Sequence, residues 1–93
     1  MIQSNKDAIP SHHAQSLQTS IALQFIATAE TYNLQWKEHP VDWNRASSRQ
    51  VEGGSGTVKT EVEDLEPGTT YCLRLVDADG SPGPELVIDT EQV

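Results

Sequence analysis

The chain is short of cysteine, of basic residues and of long apolar runs, and each shortage removes a class of explanation. Cys72 is the only cysteine, so no disulfide within the chain can staple it. A solitary thiol on an extended segment reads as a small packing residue. A nucleophile would need a base beside it, and His12, His13 and His39 form no recognisable arrangement with Cys72. Apolar runs stop at three residues, far too few for a transmembrane helix. The first twenty residues lack the apolar stretch of a signal peptide, and no Asn-x-Ser/Thr acceptor occurs. These absences favour an intracellular setting, or a domain taken from a longer protein behind a start Met. The compartment is otherwise undefined.

Motifs that carry chemistry are missing too. There is no Cys-x-x-Cys pair, no Gly-rich phosphate loop and no Gly-x-Ser-x-Gly elbow. Asp77-Ala78-Asp79-Gly80 invites a calcium loop, but a loop starting at Asp77 needs Gly in its sixth place and Glu in its twelfth. Pro82 and Ile88 stand there, so a hairpin turn is the better reading. His12-His13 would need further metal ligands from elsewhere. Glu61 and Glu63, at period two, share one face of a strand. A wet strand face has no cleft to desolvate either of them for acid–base work. No catalytic residue, metal site or cofactor is expected.

Charge is plentiful but lopsided. The 93 residues carry a net charge of −8. Residues 1–59 hold five acids and five bases, whereas residues 60–93 hold nine acids and only Arg74. Such a segment repels phosphate backbones and anionic surfaces. It argues against nucleic acid and membranes as partners and leaves a solvated face, or a patch for a basic protein surface.

What is present is a period of two. Ile21, Leu23 and Phe25 alternate with Ala22 and Gln24; Tyr32, Leu34 and Trp36 alternate with Asn33, Gln35 and Lys37. Val58, Thr60 and Val62 are interleaved with Lys59, Glu61 and Glu63. Tyr71, Leu73 and Leu75 repeat the pattern, and Leu86 and Ile88 flank Val87. A weaker strand is expected near 42–46, around Trp43. Pro40, Gly53-Gly54-Ser55-Gly56, Pro67-Gly68, Asp79-Gly80 and Ser81-Pro82-Gly83-Pro84 punctuate the segments; the Gly53–Gly56 stretch reads as a flexible turn or loop. Six or seven short strands with turns every 8–15 residues, and no helical period, predict an all-β antiparallel sandwich or small barrel. The first residues are polar; 1–7 are expected to be a flexible lead-in and 8–93 the domain.

Leu65-Glu66-Pro67-Gly68-Thr69-Thr70-Tyr71 resembles the Leu-x-Pro-Gly-Thr-x-Tyr segment that joins strands E and F of a fibronectin type III domain. Ile21-x-Leu23-x-Phe25 is similar to that family's strand B, with Phe25 where Trp is usual. Tyr32-x-Leu34-x-Trp36 is similar to strand C, with Trp36 enlarging the last position. Trp43 looks like the aromatic of strand C′, and Ser81 to Thr90 like the loop into strand G. The resemblance covers about residues 8–90. It implies a seven-stranded, two-sheet, immunoglobulin-like sandwich with Greek-key connections. It also implies a structural corner of Leu65, Pro67, Gly68 and Tyr71, with the tyrosine ring in the core and its hydroxyl aimed at the main chain upstream. The B–C connection, about Ile26 to Thr31, lacks the usual prolines. The F–G loop, Asp77 to Gly83, lacks the Arg-Gly-Asp tripeptide of integrin-binding members.

The function so implied is a non-catalytic protein-interaction or spacer module of a larger multidomain protein, held by a protein partner or by neighbouring domains. Glu30, Asp77, Asp79 and Gly80 are the candidate binding residues, on B–C and F–G loops expected at one end. The exposed face of strands C, F and G, with Gln35, Lys37, Cys72 and Arg74, is the next choice. The alternative is an accessory domain of an enzyme, binding carbohydrate or packing on a catalytic domain. Trp43 would be its surface aromatic, although packing is the simpler fate for that ring.

Overall fold

A computed structural model describes residues 14–92. Seven strands follow in order: β1 Ala14–Ser16, β2 Ile21–Ile26, β3 Thr31–Glu38, β4 Ser47–Glu52, β5 Thr57–Val62, β6 Thr70–Val76 and β7 Leu86–Asp89. They form two antiparallel sheets, β1-β2-β5 and β4-β3-β6-β7. The chain changes sheet after β2, after β4 and after β5, so three loops must carry it across the core. Residues 1–13, including His12 and His13 and the expected boundary near residue 8, lie outside the described residues.

Alternation decides the faces. Ile21, Leu23 and Phe25 point inward from β2, opposite Val62, Thr60 and Val58 of β5. From the other sheet Tyr32 and Leu34 of β3 meet Leu73 and Leu75 of β6 in the same core. Apart from the half-buried Val58 and Thr60, these side chains are buried, and Leu65 with them. Trp36, Leu86 and Ile88 pack at its margin. Phe25 and Tyr32 touch edge to face, with centroids 5.4 Å apart and planes at 89°, the geometry that ring quadrupoles favour.

Two readings need correction. The expected strand at 42–46 is absent. Trp43–Arg45 is instead one 3-10 turn, closed by Arg45 N–H to Asp42 O at 3.0 Å and Ala46 N–H to Trp43 O at 3.1 Å. The strand lies later, at β4, and Trp43 precedes it rather than belonging to it. β4 is an edge strand in which Val51 alone is buried, so it shows no apolar alternation. Its backbone is held by β3, from Thr31↔Glu52 to Trp36↔Ser47. Arg49, on its inward side opposite Leu34, reaches across to the other sheet. Arg49 Nη2 donates to Thr60 Oγ1 at 2.6 Å and to the Glu61 carbonyl at 2.9 Å, tying the two edge strands together.

The second correction concerns Cys72. It lies on the outward side of β6 but is only 2% exposed, flanked in register by Lys37 and Val87. It is therefore not part of an open binding face.

Candidate functional site

The lower end of the sandwich is built for rigidity. The turn after β5 holds Asp64 at φ 62° and Gly68 at φ 60°, the left-handed region that only Gly enters without cost and Asp tolerates. Tyr71, 5% exposed, accepts the Glu66 N–H on its hydroxyl at 2.8 Å. Thr90 completes this end. Its buried hydroxyl donates to the Glu66 carbonyl at 2.6 Å and accepts the Thr69 N–H at 3.0 Å. The chain just after β7 is thus locked to the corner through side chain and main chain, including Thr90 N–H to Thr69 O at 2.9 Å.

The opposite end carries the candidate binding residues. Asn33 faces Val76 across β3 and β6, so the residues before β3 and after β6 lie at one end. The F–G hairpin is shaped by Asp77. Its Oδ1 accepts the N–H groups of Asp79 at 3.0 Å and Ser81 at 3.1 Å. Its carbonyl takes the Gly80 N–H at 3.0 Å, and its own N–H donates to Ser81 O at 3.1 Å. Gly80 has φ 83°, which explains glycine there. Asp77 therefore spends one carboxylate oxygen on its own loop. Asp79 is exposed, on a loop that is already ordered.

Glu30 sits in a connection that is just as well braced. Tyr32 accepts the Thr28 N–H at 2.7 Å and the Ala29 N–H at 3.0 Å. Gly53 N–H donates to Glu30 O at 2.7 Å and Gly54 N–H to Ala29 O at 2.8 Å. The glycine-rich stretch read as flexible is thus packed against the B–C connection where it begins. A Cβ on Gly53 would fall inside contact distance of the Ala29 carbonyl and 3.0 Å from Tyr32 Cε2. The sequence placed Tyr32 in the core and Gly53 in a turn; what it did not show was the tyrosine hydroxyl's hold on the connection and the close approach of Gly53. The signal for Tyr32 was a tyrosine, not a phenylalanine, at a core position just after a short connection.

Between these loops lies an open hollow of ≈ 360 Å³, lined by Thr31, Tyr32, Asn33 and Gln50 on one side and Val76, Asp77, Ala78 and Gly80 on the other. Asp77 and Gly80 come together in it; Glu30 and Asp79 are not part of its lining. Its walls offer main-chain and amide groups and one carboxylate, which suits hydrogen bonding to a polar surface. Among the described residues no three His, Cys, Asp or Glu side chains are grouped to hold a metal. β5 ends at Val62, so Glu63 is past the strand that Glu61 occupies.

Trp43 lies on the outside of the four-stranded sheet. The Arg74 guanidinium carbon is 4.0 Å from its ring centroid and Lys37 Nζ is 4.8 Å away. Its indole N–H donates to Glu85 at 2.8 Å. Trp36 is packed at the core margin, so the two tryptophans do not form an open pair of the kind a sugar stacks on.

These features define a class: an all-β, two-sheet sandwich in which buried tyrosine hydroxyls hold two of the three sheet-crossing loops. No protein-family model and no curated protein matches the sequence. Solved structures do match in shape. The chicken CNTN1 FN1–FN3 domains superpose with a TM-score of 0.71 at 19% identity, covering 85% of this chain and 30% of that one. The fn3 domain of human contactin 1 matches with a TM-score of 0.71 at 18% identity, over 100% of this chain and 87% of that one. The sensor domain of the anti-sigma factor RsgI4 from Pseudobacteroides cellulosolvens matches with a TM-score of 0.73 at 15% identity, over 92% and 88%. The chain has the fibronectin type III fold. It spans less than a third of the chicken protein segment it resembles.

Proposed function

We propose that the chain is a non-catalytic interaction module of a larger protein, and that it contacts a basic protein surface through the B–C and F–G end. The observation that supports this reading is the F–G hairpin. Asp77 Oδ1 orders the loop by two main-chain bonds, so the loop loses little freedom when it meets a partner. Asp79, within that hairpin, and Glu30, next in sequence to the Thr31 that lines the ≈ 360 Å³ hollow, are both exposed. Charge complementarity of this sort governs encounter and register more than raw affinity. The related folds, among them a domain described as the sensor of an anti-sigma factor, are compatible with a module of this kind.

The test is binding of a lysine-rich peptide to the chain and to a triple variant, Glu30→Gln, Asp77→Asn and Asp79→Asn. Asparagine at Asp77 keeps the oxygen that shapes the hairpin. The variant should bind at least about fivefold more weakly, as expected for removing rim charges each contributing up to ~1 kcal/mol. Equal affinity would remove this end from consideration.

A further inference from the structure

Six bases face fourteen acids in this chain, yet two of the six share one aromatic ring with no acid bound to either among the described residues. Lys37 and Arg74 lie on the outward face of the four-stranded sheet, on neighbouring strands, opposite Cys72 and Gln35. Arg74 Nε donates to Gln35 Oε1 at 2.7 Å. Lys37 Nζ donates to the His39 carbonyl at 3.0 Å. Both cations lie against Trp43, and neither has any other hydrogen bond or ion pair among the described residues. Glu85 is bound to the indole N–H instead.

This leaves strong donors held in place and unspent. Nε alone of the Arg74 guanidinium is engaged, which leaves the Nη groups for the parallel two-bond geometry a carboxylate takes up. Stacking and the Gln35 bond limit the freedom of the planar fork, so little more is lost when it binds. Val87, in register with Cys72 on the same face, is 54% exposed and adds an apolar contact beside the charges.

We propose that Lys37, Arg74 and Trp43 form a docking site for an acidic peptide segment of a protein partner. A carboxylate spans the two cations, and an apolar side chain of the segment lies on Val87. A polyanion such as nucleic acid or an anionic lipid surface is the poorer fit. Two cations match one or two carboxylates, whereas the nine acids of residues 60–93 repel an extended run of phosphates. This face is separate from the loop end and prefers the opposite charge, so the two proposals stand or fall independently.

The experiment titrates the 93-residue chain with a blocked peptide of glutamates around a central leucine, followed by ¹H–¹⁵N NMR. The resonances of the Trp43 indole N–H and the Arg74 Nε–H should shift saturably. A glutamine version of the peptide should leave them in place. Lys37→Gln with Arg74→Gln should weaken binding about tenfold or more, the loss expected from one charge-assisted hydrogen bond. If that double variant fails to fold, Arg74→Lys replaces it; it keeps the charge, lacks the planar fork and should still bind several-fold more weakly. Any of four results overturns the proposal: no saturable shift, shifts confined to other residues, unchanged binding by the variants, or tighter binding of inorganic phosphate or phosphatidylserine vesicles than of the peptide. Dimerisation of the chain that the same substitutions abolish would also overturn it, by making a second copy the occupant.

Discussion

Tyr32 and Tyr71 do the same work at opposite ends of the sandwich. Each is the second residue of a strand of the four-stranded sheet, and each follows a connection that crosses from the other sheet. Each ring is in the core, and each hydroxyl accepts main-chain N–H from that connection: Thr28 and Ala29 for Tyr32, Glu66 for Tyr71. The hydroxyl is the acceptor in both cases, so removing it leaves amide donors short of a partner. Two of the three crossings between sheets are held this way in a fold with no disulfide.

Tyr71→Phe should therefore lower stability by ~1 kcal/mol, and Tyr32→Phe by ~1–2 kcal/mol because two N–H groups lose their acceptor. Urea midpoints at unchanged slope measure both. Coincidence of the Tyr71→Phe midpoint with that of the parent would show that the phenol does not hold the corner.

Gly53 is predicted to be irreplaceable for reasons of space. Alanine there would press on the Ala29 carbonyl and on the Tyr32 ring, at a cost of about 1–3 kcal/mol. Gly56 is the internal control: a Cβ there would meet nothing within 4 Å, and its φ is not left-handed. Gly56→Ala should change stability by no more than about 0.5 kcal/mol. Equal effects at the two positions would contradict the close approach.

Thr90→Val keeps the shape of a buried side chain and removes its hydroxyl. The Glu66 carbonyl and the Thr69 N–H would both lose their partner, so a loss of about 1–3 kcal/mol is expected. Thr90→Ser should restore most of it. A serine variant as weak as the valine one would indicate that the methyl group, not the hydroxyl, matters.

Cys72 should resist thiol reagents in the folded chain, since it is 2% exposed. Its modification then waits for local or global opening, and should run on the order of a hundredfold slower than in denaturant, given the small open population of a stable domain. A native rate close to that of the unfolded chain would mean that the outer face of β6 is open at this point.

Local pattern was enough for most of the framework. Alternation at Ile21–Phe25, Tyr32–Trp36 and Tyr71–Leu75 identified strands because one face of each is buried, and burial leaves a mark every second residue. Pro67-Gly68 and Asp79-Gly80 identified turns because those residues restrict or permit particular backbone angles. β4 left no such mark. An edge strand takes its hydrogen bonds from a neighbour's backbone, so Ser47–Arg49 can be polar throughout. The same holds for the contacts that distinguish this chain: Tyr32 on Ala29, Gly53 under it, and Trp43 between Glu85 and Arg74. They join residues from separate elements, and which side chains meet follows from how the two sheets stack and how the loops cross. Nothing in the spacing along the chain carries that information, because such contacts depend on distance in space rather than on periodicity in sequence.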